Sequence, residues 1–160
     1  ARRDFLRRPE RIDRIEVPAA LRWGGFDAPF FAPAKSQPSQ LMKTEEIAKR
    51  LVALCREQKW ETAQKELYAA DAVSIEPYAS PAFAQETKGL PAILEKGKKF
   101  VAMVEMVHSH VVSDPLVATN SFACVMRMDV TMKGQGRMNM AELCVYEVKD
   151  GKIVSERFHV

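Results

Sequence analysis

One carboxylate interrupts an otherwise apolar strand face near the C-terminus. Side chains alternate along a β-strand, and the face that holds Glu142 otherwise carries Met138, Met140, Cys144, Tyr146 and Val148. Ionising a carboxyl group among apolar side chains is costly, so we expect a raised pKa and a capacity for acid–base work. The alternative is a structural glutamate that accepts hydrogen bonds from a helix end or a tyrosine.

Two histidines form the second candidate group. His108 and His110 are two residues apart in a predicted strand, so we expect them on one face, with Val107 and Val111 on the other. Histidine transfers protons near neutral pH, and either ring could assist Glu142 if the two faces are continuous. The alternative is a pair of hydrogen-bonded or half-exposed strand histidines. Two histidines at this spacing on a strand can also ligate a metal, but a third ligand would be needed and Glu142 is the only obvious candidate. We predict no metal at this site. We also predict no cofactor.

Five further residues are predicted to line a ligand pocket: Met126, Met128, Met140, Tyr68 and Glu76. Methionine fills irregular space and suits a pocket for an apolar ligand. Tyr68 is placed at the end of a predicted helix, and Glu76 near the end of the strand that follows. The alternatives are core methionines, a core-edge tyrosine and a solvated or capping carboxylate.

The strand before the glycine-containing turn has a matching apolar face, which includes Met126 and Met128. If that turn centres near Gln135, Met128 lies opposite Glu142. The apolar faces of the two strands then coincide.

The elements that must position these residues follow the order α-α-β-α-β-β-β-β. Helical spacing predicts helices over 43–58, from about residue 60 to 71, and from residue 89 onward. The first strand covers 72–77. From about residue 103 the apolar period becomes two, which predicts strands over 104–113, 116–132, 137–149 and 152–159. Helices placed ahead of an antiparallel sheet indicate the α+β class.

Three segments, in this order, resemble the SnoaL-like branch of the NTF2-like superfamily. They are Glu66-Leu67-Tyr68-Ala69-Ala70-Asp71-Ala72-Val73-Ser74-Ile75-Glu76-Pro77, Gly89-Leu90-Pro91-Ala92-Ile93 and the closing hairpin from Glu142 to Val154. The resemblance spans Lys43 to Phe158. It implies an NTF2-like cone, in which three N-terminal helices pack in a curved antiparallel sheet and leave a pocket.

The resemblance also limits what can be expected of function. The superfamily includes polyketide cyclases, ketosteroid isomerases, dehydratases and epoxide hydrolases, and the fold does not choose among them. It implies a small apolar ligand and cofactor-independent acid–base chemistry of the isomerase, cyclase or dehydratase type. The alternative is a non-catalytic homodimeric binding or interaction module of the same fold.

Residues 1–42 differ from the remainder, which we assign to the domain 43–160. The first 42 residues carry eight Arg/Lys and five Asp/Glu, whereas the rest carries sixteen of each. Four prolines among residues 18–38 favour a disordered or loosely packed extension; the alternative is an aromatic docking arm. The segment lacks the apolar stretch of a secretory leader.

The balanced charge of the domain argues against a nucleic-acid partner. No apolar run approaches the roughly 20 residues of a membrane span, so we expect no membrane partner. Three cysteines without framework spacing favour reduced thiols and a cytoplasmic location.

Overall fold

The computed structural model describes the backbone of residues 38–160 and the side chains from Thr44 onward. The predictions for residues 1–37 therefore lie outside the described residues. The first helix, α1 (Pro38–Arg56), begins five residues before Lys43. It ends before Gln58, which has a φ of +57°, a conformation that an α-helix does not accommodate.

Two further helices precede most of the sheet. Helix α2 covers Trp60–Leu67, and α3 covers Leu90–Met103. Gly89 precedes α3 with a φ of +86°, which a residue without a Cβ adopts at low cost. Pro91 follows in the first helical turn, where its missing N–H removes no helical hydrogen bond.

Seven strands form one sheet. They are β1 (Tyr68–Ile75), β2 (Glu86–Lys88), β3 (Val104–Val112), β4 (Leu116–Val117), β5 (Ser121–Met132), β6 (Gly136–Lys149) and β7 (Lys152–His159). Their order is β2-β1-β7-β6-β5-β3, with β4 paired to β5. The predicted α+β class is confirmed. The sheet is mixed rather than wholly antiparallel, because β1 lies beside β7 and runs parallel to it.

Besides the start of α1 and the short strand β2, which was not predicted, two further predictions about the elements are wrong. Tyr68 is the first residue of β1 and not the end of the second helix, so that strand begins four residues earlier than the alternating pattern indicates. The single strand predicted over 116–132 is a short hairpin of β4 and β5. Ala118 closes the turn between them by donating its backbone N–H to the carbonyl of Ser121 at 2.8 Å.

The hairpin of β5 and β6 positions the predicted pocket residues. Met128 lies opposite Met140, and Met126 lies opposite Glu142. The predicted pairing of Met128 with Glu142 is therefore wrong, because the turn centres near Gly134 and not near Gln135. The two apolar faces nevertheless coincide, since even-numbered residues pair with even-numbered residues throughout.

The core lies between α1 and the inner face of the sheet. Leu51, Phe122 and Ile153 are among its fully buried side chains, and the rings of Phe122 and Tyr146 stack at 4.7 Å between centroids. All three cysteines are buried and unpaired, and their reduced state stays a prediction. Burial raises the pKa of the Cys55 thiol to about 12, so it stays protonated at neutral pH. No helix within residues 38–160 is long and apolar enough to cross a membrane.

Candidate functional site

A cavity of about 1100 Å³ opens between the helices and the inner face of the sheet. Every predicted ligand-binding residue lies on its wall: Met126, Met128, Met140, Tyr68 and Glu76. Trp60 and Phe100 add aromatic surface from α2 and α3. The wall is thus largely apolar, and the cavity is of the size that proteins use for small molecules. The binding role of these residues stays a prediction.

Glu142 projects from β6 into this cavity. Its carboxylate makes no hydrogen bond or ion pair with any side chain described between residues 44 and 160. Burial is the main cause that raises its pKa, and the negative charges of Glu76 and Glu156 act in the same direction. The nearby ammonium of Lys96 opposes the shift. The direction of this pKa shift agrees with the prediction, and the charged groups near Glu142 are Glu76, Glu156 and Lys96 rather than a histidine.

Lys96 joins α3 to the first strand at one end of the cavity. Its Nζ donates to Glu76 Oε1 at 2.6 Å and to Ser74 Oγ at 2.5 Å. The ammonium also lies 5.0 Å from the centroid of the Phe158 ring. Both partners of the Lys96–Glu76 pair are mostly buried, with side chains 13% and 20% exposed. The pair therefore holds one positive charge in a fixed position among carboxyl groups.

Glu156 is the most deeply buried acid of the site, at 3% exposure. The hydroxyl of Tyr68 donates a hydrogen bond to its Oε2, while its Oε1 has no partner within the described part of the chain. Burial raises the pKa of Glu156, and the hydroxyls of Ser74 and Tyr68 and the charge of Lys96 oppose that shift. Burial and the neighbouring Glu156 also raise the pKa of Tyr68, so its hydroxyl stays a donor.

Sequence reasoning missed Lys96 and Glu156. Lys96 follows Ile93 by three residues and precedes Phe100 by four, so its place on the inner helical face could have been read from spacing. Glu156 lies on the same face of β7 as Phe158. Ile153 lies on that face too, although it is an odd number of residues away, because a bulge between β6 and β7 interrupts the alternation. The bulge therefore concealed the inward position of Glu156 from the sequence pattern.

The structure separates the two histidines. Val107 lies opposite Val130, and His110 lies opposite Met128, with a bulge between Val107 and Ser109. The extra residue reverses the alternation. The Nε2 of His108 is 2.7 Å from Thr131 Oγ1, and the His108 ring is exposed. The prediction that His108 and His110 share one face is therefore wrong.

His110 is directed inward but does not line the cavity that Glu142 faces. Its ring packs edge-on against Trp60, with 5.4 Å between ring centroids. Both ring nitrogens are buried without a hydrogen-bond partner in residues 44–160, and burial lowers the pKa of His110. His110 lies two strands from Glu142, which separates their backbones by about 10 Å. The expected direct proton transfer between them, which needs roughly 3 Å, is not supported.

The acidic residues at the cavity do not form a metal site. Within the described residues, no group of three or more His, Cys, Asp or Glu side chains is arranged to hold a metal ion. The site offers instead one cation, two hydroxyl groups and three carboxyl groups: Lys96, Ser74, Tyr68, Glu76, Glu142 and Glu156. Such a set can bind and orient a polar group and can exchange a proton with it.

Solved structures with the same architecture support the fold assignment. A Mesorhizobium loti protein described as a SnoaL-like polyketide cyclase is 34% identical, with a TM-score of 0.67, over 72% of this chain and 97% of that one. A Catenulispora acidiphila protein with a ketosteroid isomerase-like fold, solved with trimethylamine, is 18% identical over 73% of this chain and 86% of that one, with a TM-score of 0.57. An NTF2-like protein of Burkholderia pseudomallei is 8% identical over 73% of this chain and 89% of that one, with a TM-score of 0.60. The last two show similarity of fold alone.

Sequence comparison gives the family. A search of curated proteins finds no match. The family profile described as the SnoaL-like domain matches residues 42–160, which is most of the chain. The match includes every element from β1 to β7 and all the residues that line the polar end of the cavity. The chain therefore belongs to the SnoaL-like domain family and has the NTF2-like α+β cone fold.

Proposed function

We propose that this protein binds a small, largely apolar molecule in the cavity and that Glu142 performs cofactor-independent acid–base chemistry on it. The reaction types that fit are isomerisation, cyclisation and dehydration. The observation that carries the proposal is the Glu142 carboxyl group, which faces a methionine-lined cavity without a partner among the described side chains. Its raised pKa brings proton exchange closer to neutral pH.

The chemistry requires a proton to leave the ligand and to return to it. A C–H proton next to a carbonyl group moves to a carboxylate oxygen of Glu142, and the electron pair of that bond passes into the carbonyl system. The same carboxylic acid then returns the proton at another atom, so no oxidant or reductant is consumed. The apolar wall leaves the Glu142 carboxylate poorly solvated, which makes it a stronger base toward the C–H proton.

One similarity supports this class of reaction. The Mesorhizobium loti relative, which is 34% identical, is described as a SnoaL-like polyketide cyclase. The description belongs to that protein and enters here only as support.

The binding half is tested with a neutral apolar dye, N-phenyl-1-naphthylamine, whose fluorescence rises in apolar surroundings. We expect saturable binding to the full chain, and displacement by carbonyl compounds from a small-molecule library. Met128→Lys should weaken dye binding at least about tenfold, because it places a charge in the apolar wall. A dye signal that does not saturate, or that Met128→Lys leaves unchanged, contradicts binding in this cavity.

The catalytic part of the proposal is tested with the carbonyl compounds that displace the dye. Each compound is incubated with the protein in D₂O, and its uptake of deuterium is followed by mass spectrometry. Wild type should catalyse exchange, and Glu142→Gln should lower its rate by at least about 100-fold while binding persists. The matched control is Glu147→Gln, on the same strand but exposed. Exchange that survives Glu142→Gln contradicts the role of Glu142. Binding without exchange in wild type favours a non-catalytic binding protein.

A homodimeric module is the second candidate function, and it can coexist with the first. It is favoured by exposed apolar side chains on the outer face of β3, β4 and β6: Val111 is 59% exposed, Leu116 80% and Leu143 43%. Light scattering after size exclusion should give the mass of a dimer, and Leu143→Lys should give that of a monomer. Val101→Lys, on the exposed side of α3, is the control. A wild-type monomer at all concentrations contradicts this candidate.

We also propose that the protein acts in a reducing compartment such as the cytoplasm. Its three thiols are buried and unpaired, and proteins of oxidising compartments rarely keep thiols in that state. Labelling of the thiols in freshly lysed cells, after denaturation, should recover all three in reduced form. Recovery of a disulfide would contradict this location.

A further inference from the structure

The polar end of the cavity is defined here as Glu76, Glu142, Glu156, Lys96 and Tyr68. We propose that this end selects ligands whose head group donates hydrogen bonds, a protonated amine first and a hydroxyl second, and rejects anionic head groups. The inference rests on the proposed ligand-binding function and specifies the class of ligand.

Two acceptors at the polar end have unused hydrogen-bonding capacity. Glu156 Oε1 is buried without a partner, on a residue that is 3% exposed and lines the cavity. Glu142 presents its carboxyl group to the same space and makes no side-chain hydrogen bond or ion pair within residues 44–160. A buried acceptor without a donor costs free energy. A ligand that supplies donors removes that cost on binding.

Two donors of the polar end, Tyr68 and Lys96, are already engaged. The Tyr68 hydroxyl donates to Glu156 Oε2. Lys96 donates to Glu76 and Ser74 and lies over the Phe158 ring. The indole N–H of Trp60 is also buried without a partner among residues 44–160, but Trp60 lies on the part of the cavity wall outside the polar end. An anionic head group therefore meets an ammonium, that of Lys96, which is already paired with Glu76.

Charge leads to the same preference. Three carboxyl groups and one ammonium line the polar end, and the ammonium is paired with Glu76. The lysines at the cavity mouth, Lys59 and Lys98, form ion pairs with exposed glutamates. A carboxylate or phosphate head would add a further negative charge at short range in a poorly solvated space. A cation is attracted by the same groups.

The test uses three probes that share one apolar body and differ only in the head group: 1-adamantanamine, 1-adamantanol and 1-adamantanecarboxylate. Affinities are measured with the full chain at about pH 7.5 by calorimetry and by displacement of N-phenyl-1-naphthylamine. At this pH the amine is a cation and the acid an anion. We expect the amine to bind at least about tenfold more tightly than the carboxylate, with the alcohol between them.

Variants assign the preference to particular groups. Glu156→Gln keeps an acceptor for Tyr68 but removes the charge, and it should lower the amine-to-carboxylate ratio at least about threefold. Glu147→Gln, on the exposed side of β6, should leave the ratio unchanged. If circular dichroism shows that Glu156→Gln does not fold, Glu142→Gln takes its place with the same expected direction.

The outcomes separate this inference from the proposed function. Dye binding together with equal affinities, or with the carboxylate bound as tightly as the amine, overturns the head-group preference and leaves the apolar cavity intact. Dye binding with no amine binding also overturns it. A chain that binds neither the dye nor any of the probes overturns both proposals.

Discussion

Replacing His110 by phenylalanine should stabilise the protein, and the gain should grow as the pH falls. The imidazole packs edge-on against Trp60, and its two nitrogens are buried without partners in the described part of the chain. Phenylalanine keeps an aromatic ring in the same place. It removes both polar atoms and cannot be protonated.

The magnitude follows from two terms. An unpaired buried polar group costs about 1–3 kcal/mol, and we take the lower end, about 1 kcal/mol, because the His110 side chain is partly exposed. Burial lowers the pKa of His110 below its ordinary value of 6.5. Stability is therefore retained above that value and lost as protons bind the unfolded chain below it. At pH 5.5 this loss is at most about 1.4 kcal/mol, and roughly half of that after allowance for solvent screening.

Urea unfolding followed by circular dichroism at pH 7.5 and 5.5 measures both terms. His110→Phe should gain about 1 kcal/mol at the higher pH and between 1.5 and 2.5, approximately, at the lower pH. The control, His108→Phe, removes an exposed ring that is bonded to Thr131, and it should bring no gain. A His110→Phe gain that is absent at pH 7.5 and does not grow at pH 5.5 refutes the reasoning, because the nitrogens then have partners.

Glu142→Gln should raise the melting temperature more at pH 8 than at pH 5. Because the folded-state pKa of Glu142 is raised, the stability that the protonated carboxyl group contributes is present below the ordinary value of 4.5 and is lost as the pH rises through the folded-state value. Glutamine stays neutral at both pH values and avoids this loss. Differential scanning fluorimetry checks this, and an equal shift at both pH values contradicts it. Lys96→Met should cost about 2 kcal/mol in urea unfolding, because it leaves the mostly buried carboxylate of Glu76 without its partner. In a Glu76→Gln background the cost should be smaller, and simple additivity would mean that the pair is not coupled. Gly151→Ala should cost about 1 kcal/mol, because its φ of +74° is unfavourable for a residue with a Cβ. Gly97→Ala, inside α3, should instead be neutral or stabilising, and equal losses for both glycines would count against the turn explanation.

The sequence predicted the order of the three helices and of five of the seven strands because the signals for that order are local, whereas the short strands β2 and β4 were not predicted. Strand β7 begins and ends as predicted, since Asp150 and Gly151 form the turn before it and apolar residues alternate within it. The class also followed from local pattern, because three helical periods precede a long stretch of period two. These features depend on neighbours within a few residues of one another.

Bulges account for the largest error in the site. The alternation rule placed His108 and His110 together, and one inserted residue between Val107 and Ser109 separated them. A bulge costs little and needs no glycine or proline, so composition gives no warning of it. The second bulge, between β6 and β7, concealed Glu156 in the same way.

The polar end of the cavity was beyond sequence reasoning for a different reason. Tyr68 and Glu156, which share a hydrogen bond, are 88 residues apart, and they meet because β1 runs parallel to β7. Lys96 reaches Glu76 and Ser74 from a helix between those strands. No periodic pattern encodes contacts across such separations. The sequence therefore identified Glu142 as an acid in an apolar face but not the charges that surround it.

Within the described residues, Glu156 leaves one buried polar atom without a partner and His110 leaves two, but of these two residues only Glu156 lines the cavity. The free-energy cost of an unpaired polar atom at a binding site can be removed by the ligand. A ligand present at 100 times its dissociation constant then stabilises the folded protein by about 2.7 kcal/mol through mass action. The cost of an unpaired atom remote from the site is not removed by the ligand. His110→Phe should therefore leave the affinities of all three adamantyl probes unchanged, whereas Glu156→Gln should lower the amine-to-carboxylate affinity ratio. Equal effects of the two substitutions on probe affinity would show that the unpaired oxygen of Glu156 has no part in choosing the ligand.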